Sequence, residues 1–419
     1  MPIVFTLLAL HSYVGWRLWP ALAGSPWAQW GLLVALIASL VLMPLAFMAR
    51  RVRVQPLSDG LAWAGALCTG WFSSIFVLTV VREVALLAAL IVAALFPAAP
   101  ALSSVGWWSA VAVIAVSGFI TLWGFWNARR TAAVVMVDVP LRDLPAALHG
   151  FSIAQISDIH VGPTIKRGYL HAIVQAVNRL DADMVAVTGD LVDGSVRDLA
   201  PHVAPLAELA SRHGTYFVTG NHEYYSGAHA WIVELRRLGV QVLMSEHVVL
   251  QHGAATLVVA GVADHSAHHF DPAHRSDPQA AIAGAPAEAE VRLLLAHQPR
   301  SAEAAAKAGF HLQLSGHTHG GQFWPWNHFV RLQQPFTAGL HRWHTLWVYT
   351  SRGTGYWGPP KRLGAPSEIT HLKLVAAGLA LGGAVAGASR TGAGAFIVGL
   401  GLVGLLVVAR LARGRRQDR

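Results

Sequence analysis

Cysteine is nearly absent from this chain. Cys68 stands alone, which excludes an internal disulfide framework and any zinc site built on paired thiolates. Charge is scarce too. Only 13% of the 419 residues are charged, against roughly a quarter in an ordinary soluble domain. Lysine is scarcest, with four residues beside 27 arginines. The hydrophobic fraction of 54% and mean hydropathy of +0.45 place part of the chain in lipid. The length allows about two or three domains, and no repeat points to a solenoid.

The net charge of +9 would suit a nucleic-acid partner if it lay on one polar surface. It does not. Residues 131–373 hold 18 Lys+Arg and 19 Asp+Glu, a balance of −1. The remaining residues hold 13 basic and 3 acidic side chains, a balance of +10. The excess flanks apolar runs, as arginine does beside membrane spans. The polar middle has no basic face for a phosphate backbone, so nucleic-acid binding is excluded as a role.

Residues 4–22 and 29–48 are each apolar over a bilayer's width. Arg50, Arg51 and Arg53 follow and read as a cytoplasmic loop. The first run lacks a basic start and is followed closely by the second, so it does not read as a signal peptide. Residues 61–98 contain only Arg82 and Glu83 as charges and have no glycine or proline between Trp71 and Phe96. One long helix is the simplest reading. Arg82 then needs an interface or a partner, because a charge at mid-bilayer costs about 2.5–3.5 kcal/mol. Residues 107–126 form a further span, closed by Arg129 and Arg130. Residues 1–130 thus read as a transmembrane region of about four helices. Beyond residue 373 an apolar tail, 374–419, holds one or two spans before Arg413, Arg415 and Arg416. Four spans with these arginines favour a cytoplasmic catalytic domain.

Between these ends the pattern changes. Strands are expected at Val134–Val139, Phe151–Ile156, Met184–Val187, Tyr216–Val218, Val240–Leu243, Val248–Leu250, Thr256–Ala260, Val291–Ala296 and Leu312–Leu314. Helices are expected at Tyr169–Leu180, Leu199–His213, Ala230–Leu238 and Ser301–Ala308. In the first of these, Leu170, Ile173, Val174 and Val177 share one face. Residues 263–287 read as a loop. Alternating strands and helices make 131–373 an α/β layered domain, with its site beyond the carboxyl ends of the strands.

Those ends carry the chemistry. Asp158 and His160, Asp190, Asn221 and His222, His297, and finally His317 and His319 each follow an apolar β run. Carboxylate, amide and imidazole together suit Mn, Fe or Zn. Asp190, with two oxygens, is the natural bridge between two ions. Such a pair holds a phosphoryl oxygen and a bridging hydroxide that attacks in line with the leaving group. His222, next to Asn221, is placed to donate a proton to the leaving oxygen, and Asp193 to orient its ring.

The blocks Asp158-Ile159-His160, Gly189-Asp190, Gly220-Asn221-His222-Glu223, His297 and Gly316-His317-Thr318-His319 resemble the calcineurin-like metallophosphoesterases in order and spacing over about 150–372. The extension Gly320-Gly321-Gln322 and the closing stretch from Ser351 to Glu368 are similar to a membrane-anchored bacterial branch. The resemblance implies a four-layer α/β/β/α sandwich. It implies one metal held by Asp158, His160, Asp190 and His319, and a second held by Asp190, Asn221, His297 and His317. His222 would be the leaving-group acid or a phosphate contact, with Asp193 behind it. Relatives that hydrolyse UDP-diacylglucosamine carry Arg in place of His222, so the likeness does not extend to that substrate.

The expected function is hydrolysis of a phosphomonoester or phosphodiester, lipid-linked or nucleotide-type, by a membrane-bound enzyme with two divalent ions. The competing reading is a non-catalytic membrane scaffold or sensor with a structural metal site. A transporter would show paired charges at mid-membrane, and only Arg82 and Glu83 qualify. His265, His268, His269 and His274 could hold a further metal, though a solvated loop is the simpler reading. Arg352 suits either a substrate phosphate or a structural pair. Trp324, Trp326, Trp343, Trp347 and Trp357 suit either packing or a lipid-facing entry for an amphipathic substrate.

Overall fold

The computed structural model describes residues 2–49, 52, 54–95 and 105–377. Arg50, Arg51, Arg53 and all of the tail from residue 378 lie outside the described residues. The chain divides into a helical unit and a unit that holds both sheets.

Four helices build the first unit: α1 (Pro2–Leu18), α2 (Pro26–Met48), α3 (Leu57–Leu95) and α4 (Val105–Arg129). Ser25 caps α2 and Pro26 opens it, where a missing N–H costs nothing. α3 is continuous over 39 residues, as the lack of glycine and proline in its second half requires. Among the described residues three helices, α2, α3 and α4, are long and apolar enough to cross a membrane. The first apolar run departs from the reading of 4–22. α1 stops at Leu18 after 17 residues, and Pro20–Leu22 forms a 3-10 turn, because proline at 20 cannot donate back into the helix. Val14, Leu18, Leu36, Phe72 and Ile75 pack the unit's core. Arg82 has its partners: Glu83 at 2.6 Å, the Ser109 hydroxyl at 2.9 Å and the Gly106 carbonyl at 3.1 Å. Arg17 also pairs with Glu83.

In the second unit β1 (Ala133–Leu141) and β2 (Ser152–Ile156) lead to α5 (Arg167–Asn178), β3 (Met184–Val187) and α6 (Val196–Val203). Next come β4 (Thr215–Phe217), α7 (Asn221–Ser226), α8 (Ala228–Arg237) and β5 (Gln241–Val242). The second half runs β6 (Glu246–His252), β7 (Ala255–Gly261), α9 (Pro278–Ile282), β8 (Val291–Leu295) and α10 (Ala302–Lys307). It closes with β9 (Leu312–Ser315), β10 (Gly339–Trp343), β11 (Leu346–Thr350) and β12 (Glu368–Ala376).

Two six-stranded sheets result, in the orders β1-β12-β2-β3-β4-β5 and β10-β11-β9-β8-β7-β6. β2 to β5 are parallel, as are β7, β8, β9 and β11. One core joins inward residues of both sheets, including Ile153, Met184, Tyr216, Leu257, Leu293, Leu312, Tyr349 and Leu372. A second packs α5, α6 and α8 on the outer face of the first sheet, and a third packs α9 and α10 on the second. Helices, sheet, sheet, helices: the four expected layers are present.

Three expectations need correction, the first being the loop read over 263–287, which holds α9 at Pro278–Ile282 and two 3-10 turns. The helix read over Leu199–His213 ends at Val203 and gives way to a 3-10 turn at Ala204–Glu208, because Pro205 cannot continue an α-helical ladder. Strands β10, β11 and β12 were not expected. β12 runs to Ala376, into the segment read as tail, because it fills the slot between β1 and β2.

Trp231 is fully buried under the first sheet and its Nε1–H donates to the Gly194 carbonyl at 2.9 Å. Trp231→Ala should lose about 3–5 kcal/mol. The check is a fall in the denaturant midpoint of the detergent-solubilised protein, followed by circular dichroism.

Candidate metal centre

Each candidate ligand stands two to four residues beyond a strand. β2 delivers Asp158 and His160, β3 Asp190, and β4 Asn221 at the start of α7. β8 delivers His297, and β9 His317 and His319. Parallel strands end on one side, so five separate segments converge there. The backbone turns hard at the same points. Asp158, His160, Asp190, His317 and His319 all have positive φ, between 52° and 69°. Side chains rarely adopt this region, at a cost of order 1–3 kcal/mol each. Gly316 is required by crowding. A Cβ there would lie 2.0 Å from Ser157 Oγ and 2.2 Å from Asp158 Oδ2.

Donor atoms gather in two groups. Asp158, His160 and His319 form one, and Asp190, His297 and His317 another. In the first, His160 Nε2 lies 3.1 Å from His319 Nε2, and His319 Nε2 lies 3.5 Å from Asp158 Oδ1. In the second, His297 Nε2 is 3.2 Å from Asp190 Oδ2 and 3.2 Å from His317 Nδ1. Asp190 Oδ2 is also 3.9 Å from His160 Nε2, so this carboxylate touches both groups. Asn221 is buried, and its Oδ1 has no hydrogen-bond partner among the described residues.

Orienting partners fix which nitrogen is free. His297 Nδ1–H donates to the Thr188 carbonyl at 2.7 Å, leaving Nε2 toward Asp190. The Asp193 carboxylate accepts from His160 Nδ1 at 3.2 Å and from His222 Nδ1 at 2.5 Å. It therefore turns both Nε2 atoms away from itself. Such carboxylate–imidazole pairs fix the tautomer of a metal ligand.

The electrostatics follow from burial. Burial alone would raise the Asp190 carboxyl. The rings of His297, His222 and His160 outweigh it and hold Asp190 well below the usual range. Burial raises Asp158, with His297 and His160 opposing. His297 is fully buried, yet Asp190 and Asp158 lift it well above 6.5. Burial and the charge on His297 push His317 down to about 4, and burial with the Arg362 guanidinium lowers His319. His222 moves the other way. Burial opposes the shift, but Asp193 and Asp190 raise it above 6.5.

Sequence reasoning missed two residues. Glu223, fully buried, accepts backbone N–H groups from Asp190 at 3.0 Å, Leu191 at 2.8 Å, Val192 at 3.3 Å and Gly220 at 2.6 Å. It sets the loop that carries Asp190 against the start of α7. Burial and the nearby Asp190 carboxylate push it up to about 8, even though the Gly220 and Leu191 N–H donors favour its charged form. Its place in the Gly220–Glu223 block was the available signal. Arg362 is buried and donates to the carbonyls of His319 at 2.9 Å and Arg352 at 2.8 Å. No sequence pattern marked it. Arg352 itself pairs with the buried Glu368 at 2.7 Å, which makes it structural. Of the tryptophans, Trp343 donates to Glu303 and Trp347 to the Pro140 carbonyl. Trp326 and Trp357 remain exposed, and Trp357 packs its ring 5.8 Å from His222.

A sandwich whose strand ends bring carboxylates, imidazoles and a lone amide together is the architecture of a metallophosphoesterase. The chain belongs to the calcineurin-like metallophosphoesterase family: the calcineurin-like phosphoesterase model matches residues 151–321, and metallophosphoesterase relatives cover more of it. A bovine transmembrane protein with a metallophosphoesterase domain is 42% identical over 276 residues, 63% of this chain and 62% of that one. The chain thus matches less than two thirds of that relative's length. An uncharacterized metallophosphoesterase of Campylobacter jejuni is 34% identical over 63% of this chain and 69% of its own. One from Aquifex aeolicus is 33% identical over 52% and 82% respectively.

Glu223→Gln should put an amide NH₂ against two backbone donors. We expect a loss of about 2–3 kcal/mol in denaturant unfolding, with metal content falling alongside.

Proposed function

We propose that this protein hydrolyses phosphoesters at a centre of two divalent cations. The observation that carries the reading is Asn221 Oδ1, a buried acceptor without a hydrogen-bond partner beside two groups of imidazole and carboxylate donors. Paired imidazole nitrogens 3.1 and 3.2 Å apart likewise suit cations between them. Asp158, His160, Asp190 and His319 would hold one ion, and Asp190, Asn221, His297 and His317 the other, with Asp190 common to both. Mn, Fe and Zn all fit this donor set. When bound, such ions polarise a phosphoryl oxygen and bring the pKa of water toward neutrality.

The protein's own groups do the rest. Asp193 holds the His222 ring by Nδ1, leaving Nε2 to hand a proton to the departing oxygen. Asp193 and Asp190 raise the His222 pKa against burial, which favours its protonated form. Glu223 and Arg362 hold the ligand loops. Exposed Trp326, Phe329, Leu332 and Trp357 support a substrate with an apolar part, such as a lipid-linked phosphoester, over a bare nucleotide.

We read residues 1–130 as the membrane region, 131–373 with the remainder of β12 as the catalytic domain, and the following residues as a membrane tail. Arg129 and Arg130 at the end of α4 favour a cytoplasmic domain. Arg197→Cys, exposed on α6, in a Cys68→Ser background, should react with an impermeant maleimide only in opened cells. Labelling of intact cells would place the domain outside.

Purified protein with Mn²⁺ should hydrolyse bis-p-nitrophenyl phosphate, and metal bound without turnover would favour the scaffold reading. Asp190→Asn should lose both metal and turnover. His222→Ala should keep its metal but slow by about 10²–10⁴-fold on an alkyl phosphoester. The loss should be smaller with p-nitrophenolate, which leaves without a proton. The acid must be protonated, so the wild-type rate should fall as pH rises past the raised His222 pKa. His222→Ala should lack that alkaline limb.

A further inference from the structure

A further group of side chains that could hold a metal ion lies in the sheet unit, outside the candidate centre. His229 is the second residue of α8, and its side chain is 73% exposed. Asp271 caps the 3-10 turn Pro272–His274, its Oδ1 accepting the Ala273 N–H at 2.9 Å. The other oxygen, Oδ2, is left over. It lies 3.0 Å from His229 Nε2 and 3.8 Å from His274 Nε2. His274 Nδ1 meets the Tyr224 hydroxyl at 2.9 Å, which turns Nε2 toward Asp271. The donor atoms of His229, Asp271 and His274 all fall within 4.8 Å of one another.

We propose that His229, Asp271 and His274 bind one imidazole-preferring divalent cation, Zn²⁺ foremost, which clamps the loop after β7 to α8. Two imidazoles and one carboxylate make a three-ligand zinc set, with water in the fourth place. Bond lengths of about 2.0–2.2 Å put tetrahedral donors roughly 3.3–3.5 Å apart, between the two observed spacings. Exposed His229 can widen its own spacing, and the longer Asp271–His274 spacing closes by a small shift of the loop that carries both. Oxygen-seeking Mg²⁺ and Ca²⁺ are disfavoured, since only one donor is an oxygen. Tyr224 is the partner that holds the His274 ring in its ligating orientation.

The clamp reaches the candidate centre through packing. Phe270, beside Asp271, packs on Tyr224 and Tyr225, with ring centroids 5.6 Å apart in each case. Tyr225 in turn packs 5.2 Å from the His222 ring. A cation at the clamp therefore stiffens the aromatic wall beside His222.

The test compares full-length wild type with His229→Ala and His274→Gln in detergent. Each is equilibrated with micromolar Zn²⁺, desalted and assayed for metal by mass spectrometry. Both variants should hold one zinc fewer per chain than wild type. The rise in thermal midpoint that wild type shows on adding Zn²⁺ should shrink in both. Equal zinc content in all three proteins overturns the proposal. The zinc difference is measured whether or not hydrolysis is detected, so it stands apart from the phosphoesterase reading.

Discussion

Everything at the strand ends follows from burying Asp158 and Asp190. Both carboxylates are out of water, and a buried anion must be paired or neutralised. Asp158 takes the His317 N–H at 2.9 and 3.0 Å, which ties a loop of the first sheet to a loop of the second. Asp190 takes the His222 N–H at 2.8 Å and draws the His297 ring to 3.2 Å. The two sheets are joined by their common apolar core and, at one end, by these charges. Positive charge is what the arrangement demands. The same carboxylates that raise the His297 pKa would favour a divalent cation.

Strain is the counterpart of that demand. Five of the seven candidate ligands have left-handed backbone, a conformation that a free chain would leave at once. The Glu223 carboxylate and the Arg362 guanidinium oppose that escape from the two sides. Glu223 gathers four N–H groups around Asp190, while Arg362 gathers carbonyls around His319. An anion collects donors and a cation collects acceptors, so each stabilises the loop type that its own charge suits.

This division explains what was legible in sequence. The placing of Asp158, His160, Asp190, Asn221, His222, His297, His317 and His319 at strand ends was readable because each follows a short apolar run. β2, β3, β8 and β9 were readable as short apolar runs. β10, β11 and β12 were missed because tryptophan, glycine and proline crowd the segments around them, and β12 mixes Glu368, His371 and Lys373 into its run. Arg362 was illegible for a deeper reason. It acts by donating to backbone carbonyls, and a carbonyl leaves no mark on the residue that bears it. Trp343 and Trp347 were ambiguous because indole serves packing and lipid contact equally well.

His222 is where the buried charges and the reacting group meet. Its backbone N–H is bound to Asp190 and its ring to Asp193. Asp193 holds the His160 ring through the same oxygen. A candidate ligand and the candidate acid thus share one carboxylate, and neither ring can turn without disturbing the other. Charge added beside His160 must therefore be felt at His222 through Asp193, at hydrogen-bond distance. A cation held by the first ligand group would thus be linked to the candidate acid through a single side chain.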